Sequence, residues 1–200
     1  MTQFPTTQPK VGMSLDEFLE RGSHDERFEI LDGEIVYMSP QATRSSRLAK
    51  KLVILLDRYL TTQPLGEAFI ETAFILPDQD NPNWVRGSRV PDVMFIRAEP
   101  LAALDAANPD WDLGPVPIVP EIVAEVVSPT DKASDVNHKV ALYLQDGVRL
   151  VWVIDPQNHV VNVHRPNSDT IQKLGVEDRL SAADILPEFG LPLATLFDLA

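Results

Sequence analysis

The 200-residue chain contains no cysteine, which excludes a disulfide framework, a thiolate nucleophile and any zinc site built on sulfur, and fits a reducing compartment. Long hydrophobic runs are missing as well. The longest, among them Leu52 to Leu56, fall far short of the ~20 apolar residues that a bilayer-crossing helix needs, and the first ten residues carry no apolar segment of the secretory type. A cytoplasmic protein, neither exported nor membrane-bound, is expected. Basic residues are scarce: 17 stand against 30 acidic ones, for a net charge of −13. A field of that sign repels polyanions at long range and argues against strong nucleic-acid binding, although divalent cations drawn in by acidic side chains would offset part of it. There is no Walker loop, no Gly-x-Gly-x-x-Gly and no His-Glu-x-x-His. The four histidines, His24, His138, His159 and His164, form no evident ligand set; His159 and His164 are expected on opposite faces of one strand.

What is present centres on residues 119–155. Ile122 to Val127 is β-branched and apolar apart from Glu125, and reads as a buried strand bounded by Pro120 and Ser128-Pro129. A carboxylate in such a strand is costly unless a metal, a cation or a shared proton lies close by. The segment Ser134 to Asp146 has helical periodicity, and at ~100° per residue Val136, Lys139, Val140 and Tyr143 share one face while His138 falls on the other. Gly147 is placed to end that helix, and Leu150 to Ile154 resumes a strand, which makes a right-handed parallel β-α-β unit with Lys139 over the sheet near Glu125. These two residues alone are compatible with a structural ion pair or with a reactive site.

At 44% hydrophobic and 24% charged, the chain has the composition of one globular domain, taken here as residues 13–200 behind a loose, flexible N-terminal tail, residues 1–12. Ser14-Leu15-Asp16-Glu17 reads as a capping box for a short helix stopped by Gly22, and Asp32-Gly33 joins two β-rich arms as a hairpin. Residues 43–62 form the clearest helix, with Leu48, Leu52, Leu55, Leu56 and Tyr59 on an apolar stripe and Arg44, Arg47, Lys51 and Arg58 along an adjacent edge. That basic edge is either a solvated face or, through Arg44, Arg47 and Lys51, a nucleic-acid contact surface. Glu67 to Leu76 reads as one strand, 77–88 as a polar loop, Arg89 to Arg97 as a strand with Asp92 near its start, and 98–118 as an ordered excursion with a short helix around Leu101 to Ala106. A strand from His159 to His164 follows a turn at Pro156-Gln157-Asn158, and Leu174 to Ala200 is apolar enough to return to the core. Helices interspersed with runs of adjacent strands give an α/β fold: a mixed sheet with an antiparallel meander and one parallel crossover, flanked by helices.

Two carboxylates converging from adjacent strands, with an ammonium beside them, make a hard oxygen site for Mg²⁺ or Mn²⁺. Asp92, Glu125 and Lys139 are those groups. Val90-Pro91-Asp92-Val93, Pro120-Glu121-Ile122-Val123-Ala124-Glu125-Val126-Val127-Ser128-Pro129, Lys139, Tyr143, Gly147-Val148 and Val151-Trp152-Val153-Ile154-Asp155-Pro156 together resemble the Uma-two family of restriction endonuclease-like proteins, within the PD-(D/E)XK nuclease superfamily. Phe28-Glu29-Ile30-Leu31-Asp32-Gly33-Glu34 and Leu186-Pro187-Glu188-Phe189 extend the resemblance over most of the chain. It implies a restriction-endonuclease-like fold and a Mg²⁺-dependent (or Mn²⁺-dependent) endonuclease hydrolysing DNA phosphodiester bonds. Asp92 and Glu125 would be catalytic metal ligands, and Glu29 would be an added member of the metal shell. Val127 stands where the superfamily carries its lysine, so Lys139 is read as a migrated one. Near Arg44-Ser45-Ser46, where the family often has a histidine, this chain has none. DNA is thus the expected substrate, a homodimer an expected assembly, and a degenerate nuclease fold serving as a binding module the alternative.

Overall fold

The computed structural model describes residues 11–23, 27–168 and 170–199, so most of the expected N-terminal tail, and His24, lie outside the described residues. In chain order the elements are β1 (Met13–Ser14), α1 (Leu15–Ser23), β2 (Phe28–Leu31), β3 (Glu34–Tyr37), α2 (Thr43–Thr62), β4 (Gly66–Ile70), β5 (Phe74–Pro77), β6 (Trp84–Arg89), β7 (Val93–Arg97), α3 (Ala98–Ala107), a 3-10 turn (Trp111–Leu113), β8 (Ile122–Val126), α4 (Ala133–Asp146), β9 (Leu150–Asp155), β10 (Val160–His164), β11 (Gln172–Leu174), β12 (Arg179–Ser181), β13 (Gly190–Pro192) and α5 (Leu193–Phe197).

Six strands form the main sheet in the order β11-β10-β9-β8-β7-β4. Neighbours are antiparallel except β8 and β9, which run parallel. This is the meander with one β-α-β crossover that the order of strands and helices implies. The crossover helix ends as expected: Gly147 has φ 110°, its N–H bonds Leu144 O, and the N–H of Val148 reaches Tyr143 O at 3.0 Å, which closes a Schellman motif. The Asp32-Gly33 turn has φ of 50° and 84°, the left-handed pair that a tight hairpin turn requires. Ser14 Oγ accepts the N–H of Glu17 at 3.2 Å, but α1 runs through Gly22 to Ser23.

The hairpin is not part of the main sheet. It belongs to a second, antiparallel sheet ordered β1-β6-β2-β3, with β5 also paired to β6, which sequence periodicity does not reveal. Glu67 to Leu76 is two strands rather than one, because Glu71 takes a left-handed φ of 47° and turns the chain from the main sheet into the second. Residues 77–88 are only partly loop. Asp78 Oδ1 accepts the N–H groups of Asp80 and Asn81 at 3.0 and 3.1 Å, closing a turn from which β6 departs. Strand pairing pauses between Arg89 and Val93, so Asp92 precedes β7. His159 sits in the turn with φ 51°, outside the strand it was expected to begin.

The main sheet is covered on both faces. Leu48, Leu52 and Leu56 of α2, at 1% exposure or less, pack with Trp152, Leu186, Leu193 and Leu196 on one side. Val140 and Tyr143 of α4 pack with Met94, Val123, Val151 and Val153 on the other. Each fully buried large apolar side chain contributes roughly 1.5–3 kcal/mol, so β8 is held by packing on both of its faces.

Two glycines near this core should respond differently to alanine. At Gly147 a Cβ meets open space, so Gly147→Ala carries only left-handed backbone strain, about 1–2 kcal/mol. At Gly66 a Cβ would overlap the carbonyl oxygen of Ile96 and crowd Arg97, so β4 must separate from β7. Urea unfolding should show Gly66→Ala to be the more destabilised of the two, and equal midpoints would contradict this packing.

Candidate active site

Alternation along β8 decides what Glu125 faces. Ile122, Ala124 and Val126 enter the α2 side of the core, whereas Val123 enters the α4 side, and Glu125 shares that direction. On α4, Lys139 and Tyr143 are four residues apart and therefore on one face. Both reach the same atom. Lys139 Nζ lies 3.1 Å from Glu125 Oε1, and Tyr143 Oη donates to it. Lys139 Nζ is also 3.2 Å from Glu29 Oε1, which accepts the N–H of Val90 at 2.8 Å.

Asp92 arrives by register. Val93 pairs with Ala124, so the next antiparallel step places Asp92 beside Glu125. Its Oδ2 accepts the N–H of Val126 at 2.5 Å and its Oδ1 accepts Gln41 Nε2. Gln41 Oε1 in turn accepts the Ser46 hydroxyl at 2.7 Å. Glu29 and Asp92 are buried, at 3% and 8% exposure, while Lys139 and Glu125 retain a fifth or less of their side-chain surface.

Electrostatics follow from that burial. Burial, then the neighbouring Glu125 charge, pushes the Asp92 carboxyl up to about 8. Burial also raises Glu125, against the opposing pull of Lys139. Burial alone would lower Lys139, but Glu125 and Glu29 outweigh it and hold the ammonium well above its usual range. Burial raises the Tyr143 hydroxyl, which keeps it a donor.

Glu29, Asp92, Glu125 and Lys139 line a cleft of about 340 Å³ with Gln41, Glu71, Ser128 and Lys132 on its walls. No residue of 98–118 lines it, so the excursion does not close over the site. Asp92, Glu125, Lys139 and Glu29, singled out in the sequence, are thus brought together. Gln41, Ser46 and Tyr143 complete the arrangement and had no assigned role; only Tyr143, on the buried face of its helix with Lys139, carried a signal. The basic edge of α2 behaves differently. Arg47 donates to Leu199 O and Lys51 to Asp198 O, holding the C-terminal segment, while Arg44 is exposed.

A divalent cation fits this donor set. Glu29 and Glu125 share one ammonium and burial raises the Asp92 and Glu125 carboxyls; a doubly charged ion beside Asp92 and Glu125 would restore balance through hard oxygen donors. Among the described residues, no three histidine, aspartate or glutamate side chains form a ready-made metal cluster. Glu29 is engaged with Lys139 and the Val90 amide instead of closing such a set.

The Uma2 family model, described as "Putative restriction endonuclease", matches residues 15–194. No curated protein matches the chain. Among solved structures, a crystal structure of a "putative nuclease belonging to DUF820" from Anabaena variabilis ATCC 29413 superposes with a TM-score of 0.71 at 22% identity, covering 92% of this chain and 97% of that one. The chain has the restriction-endonuclease-like fold and belongs to the Uma2 family of putative restriction endonucleases.

Proposed function

We propose that this protein is a metal-dependent endonuclease hydrolysing DNA phosphodiester bonds at the Asp92–Glu125–Lys139 cleft. The observation that carries this reading is the convergence, in an open cleft, of two carboxyls raised by burial and a lysine held charged by its acidic neighbours. Asp92 and Glu125 would hold Mg²⁺ or Mn²⁺, which supplies Lewis-acid polarisation of the phosphate and a bound water of lowered pKa. Because Lys139 keeps its proton, it cannot serve as the base. It instead orients water by hydrogen bonding and balances charge that develops on the phosphoryl oxygens. Tyr143 and Lys139 together fix Oε1 of Glu125, and the Val126 amide fixes Oδ2 of Asp92, so the acids are oriented before substrate arrives.

Lys139→Met tests the assignment. Methionine leaves Glu29 and Glu125 without their shared cation, so metal-free stability should fall by about 3 kcal/mol, with part of the loss recovered on adding Mg²⁺. Cleavage of plasmid and oligonucleotide DNA by the refolded, Mg²⁺-stabilised variant should drop by ~10²–10⁴. A variant cleaving at the parental rate would remove Lys139 from the mechanism.

Asp92 also fixes a pH dependence. Its carboxyl holds a proton in the folded protein up to about pH 8, whereas an unfolded aspartate releases it near pH ~4. Between those values the folded state binds more protons, so metal-free stability declines as pH rises and levels off above about 8. Mg²⁺ must displace that proton, so its apparent affinity should climb over the same window. Thermal melts across this range with and without Mg²⁺ measure both trends. Asp92→Asn should make the slope shallower.

On α2, Arg44 is the residue placed to meet a phosphate without loosening the C-terminal segment. Arg44→Ala should weaken nucleic-acid binding and reduce the salt slope of log K by about one unit. An unchanged slope in a NaCl titration would assign the basic edge to solvent.

A further inference from the structure

Two carboxylates are a sparse donor set for a hard divalent cation, which takes about six oxygens. Glu29 adds little, since its Oε1 is shared by Lys139 and the Val90 amide. The side chain in direct contact with Asp92 Oδ1 is Gln41, through its carboxamide. We propose that Gln41 is an oxygen ligand of the divalent cation and reverses its amide when the cation binds. This inference rests on the metal-dependent reading of the cleft.

The geometry permits the reversal at little cost. Gln41 now turns Nε2 to Asp92 and Oε1 to the Ser46 hydroxyl, 2.7 Å away. A hydroxyl donates or accepts equally well, and the two ends of a carboxamide have nearly the same shape. Half a turn about the last side-chain torsion therefore keeps the Ser46 bond, now donated by Nε2, and presents Oε1 beside Asp92 Oδ1. With no cation and Asp92 ionised, two facing oxygens repel, so the amide turns its nitrogen inward. With a cation between them they chelate it. Gln41 stands just before the rigid helix α2, whose N-terminal Ser45 and Leu48 are buried, so the donor is held on a fixed support.

The resulting set is all oxygen: Asp92, Glu125 and the Gln41 amide. Among the described residues no histidine lines the cleft, so by ligand type the site suits Mg²⁺ and Mn²⁺ better than a site with imidazole would. This makes Gln41 a selectivity residue and gives it a signature that a residue merely orienting Asp92 lacks.

The experiment is isothermal titration of the full chain with Mg²⁺, Mn²⁺ and Zn²⁺, comparing the parent with Gln41→Ala, Gln41→His and Asp92→Asn. Gln41→Ala should weaken Mg²⁺ binding by about tenfold or more, the scale on which even outer partners of a metal act. Gln41→His replaces an oxygen donor by imidazole, so the ratio of Zn²⁺ to Mg²⁺ affinity should rise by at least about tenfold. Parental binding that Asp92→Asn removes, with a Zn²⁺ to Mg²⁺ ratio unmoved in Gln41→His, would overturn the ligand role while leaving the metal-site reading intact. Absence of binding of any of the three ions to the parent would overturn both.

Discussion

Lys139 Nζ lies 3.2 Å from Glu29 Oε1 on the second sheet and 3.1 Å from Glu125 Oε1 on the main sheet, so one ammonium fastens two sheets that share no strand. All three groups are largely withdrawn from water. A buried carboxylate stripped of its partner is destabilising by several kcal/mol, and here one cation serves two carboxylates. The position of α4 against the hairpin therefore follows from electrostatics as well as from packing. A second tie outside the cleft agrees with it: His138, on the outer face of α4, lies 3.0 Å from Asp32 at the hairpin tip.

The same arrangement leaves the cleft short of positive charge. Lys139 is already committed twice, and Asp92 lies beyond it with two donated hydrogen bonds but no cation of its own. Burial and the Glu125 charge then shift the balance toward a protonated Asp92. A surplus of acid held in place by a stiff sheet is the condition under which a divalent ion gains most, because the cost of bringing the acids together has been met by folding. A buried carboxyl with so raised a pKa is costly to the fold, which supports the role in chemistry proposed for Asp92.

Much of this was legible in the sequence because it depends on local periodicity. A charged residue in the middle of an apolar β-branched run announced Glu125, helical spacing put Lys139 and Tyr143 on the buried face, Asp32-Gly33 announced the hairpin, and the apolar stripe of α2 gave its bounds, Thr43–Thr62. What escaped depends on contacts distant along the chain. The break at Glu71 lies inside a run with uniform β character, and only its left-handed φ, stabilised by its N–H bond to Asp92 O at 3.1 Å, sends β4 and β5 to different sheets. Strand β6 follows a stretch dense in Asp, Asn and Pro that masks its start. Gln41 is a polar residue before a helix, and nothing local distinguishes it from an ordinary turn residue; its contact with Asp92 spans 51 positions. Glu29 was found, but as a member of a metal shell and not as the partner of Lys139, because sequence spacing does not say which of two nearby charges a carboxylate will meet.

The net charge of −13 bears on how such a site could meet a polyanion. At physiological ionic strength the Debye length is about 8 Å, so acidic residues on remote surfaces are largely screened from a phosphate in the cleft, and the local balance decides. Locally, Arg47 and Lys51 are occupied with the carbonyls of Leu199 and Asp198, and Arg27 is paired with Glu71 at 2.7 Å. A duplex gripped along its backbone would normally meet several free cations, and this cleft presents few. Under the proposed function, attraction at a phosphate would fall to the ammonium groups of Lys139 and Lys132, both on the cleft wall, and to a divalent ion held by Asp92 and Glu125. On this reading affinity and catalysis share one origin: substrate binds where the ion sits and weakly elsewhere, so the ion concentration governs both.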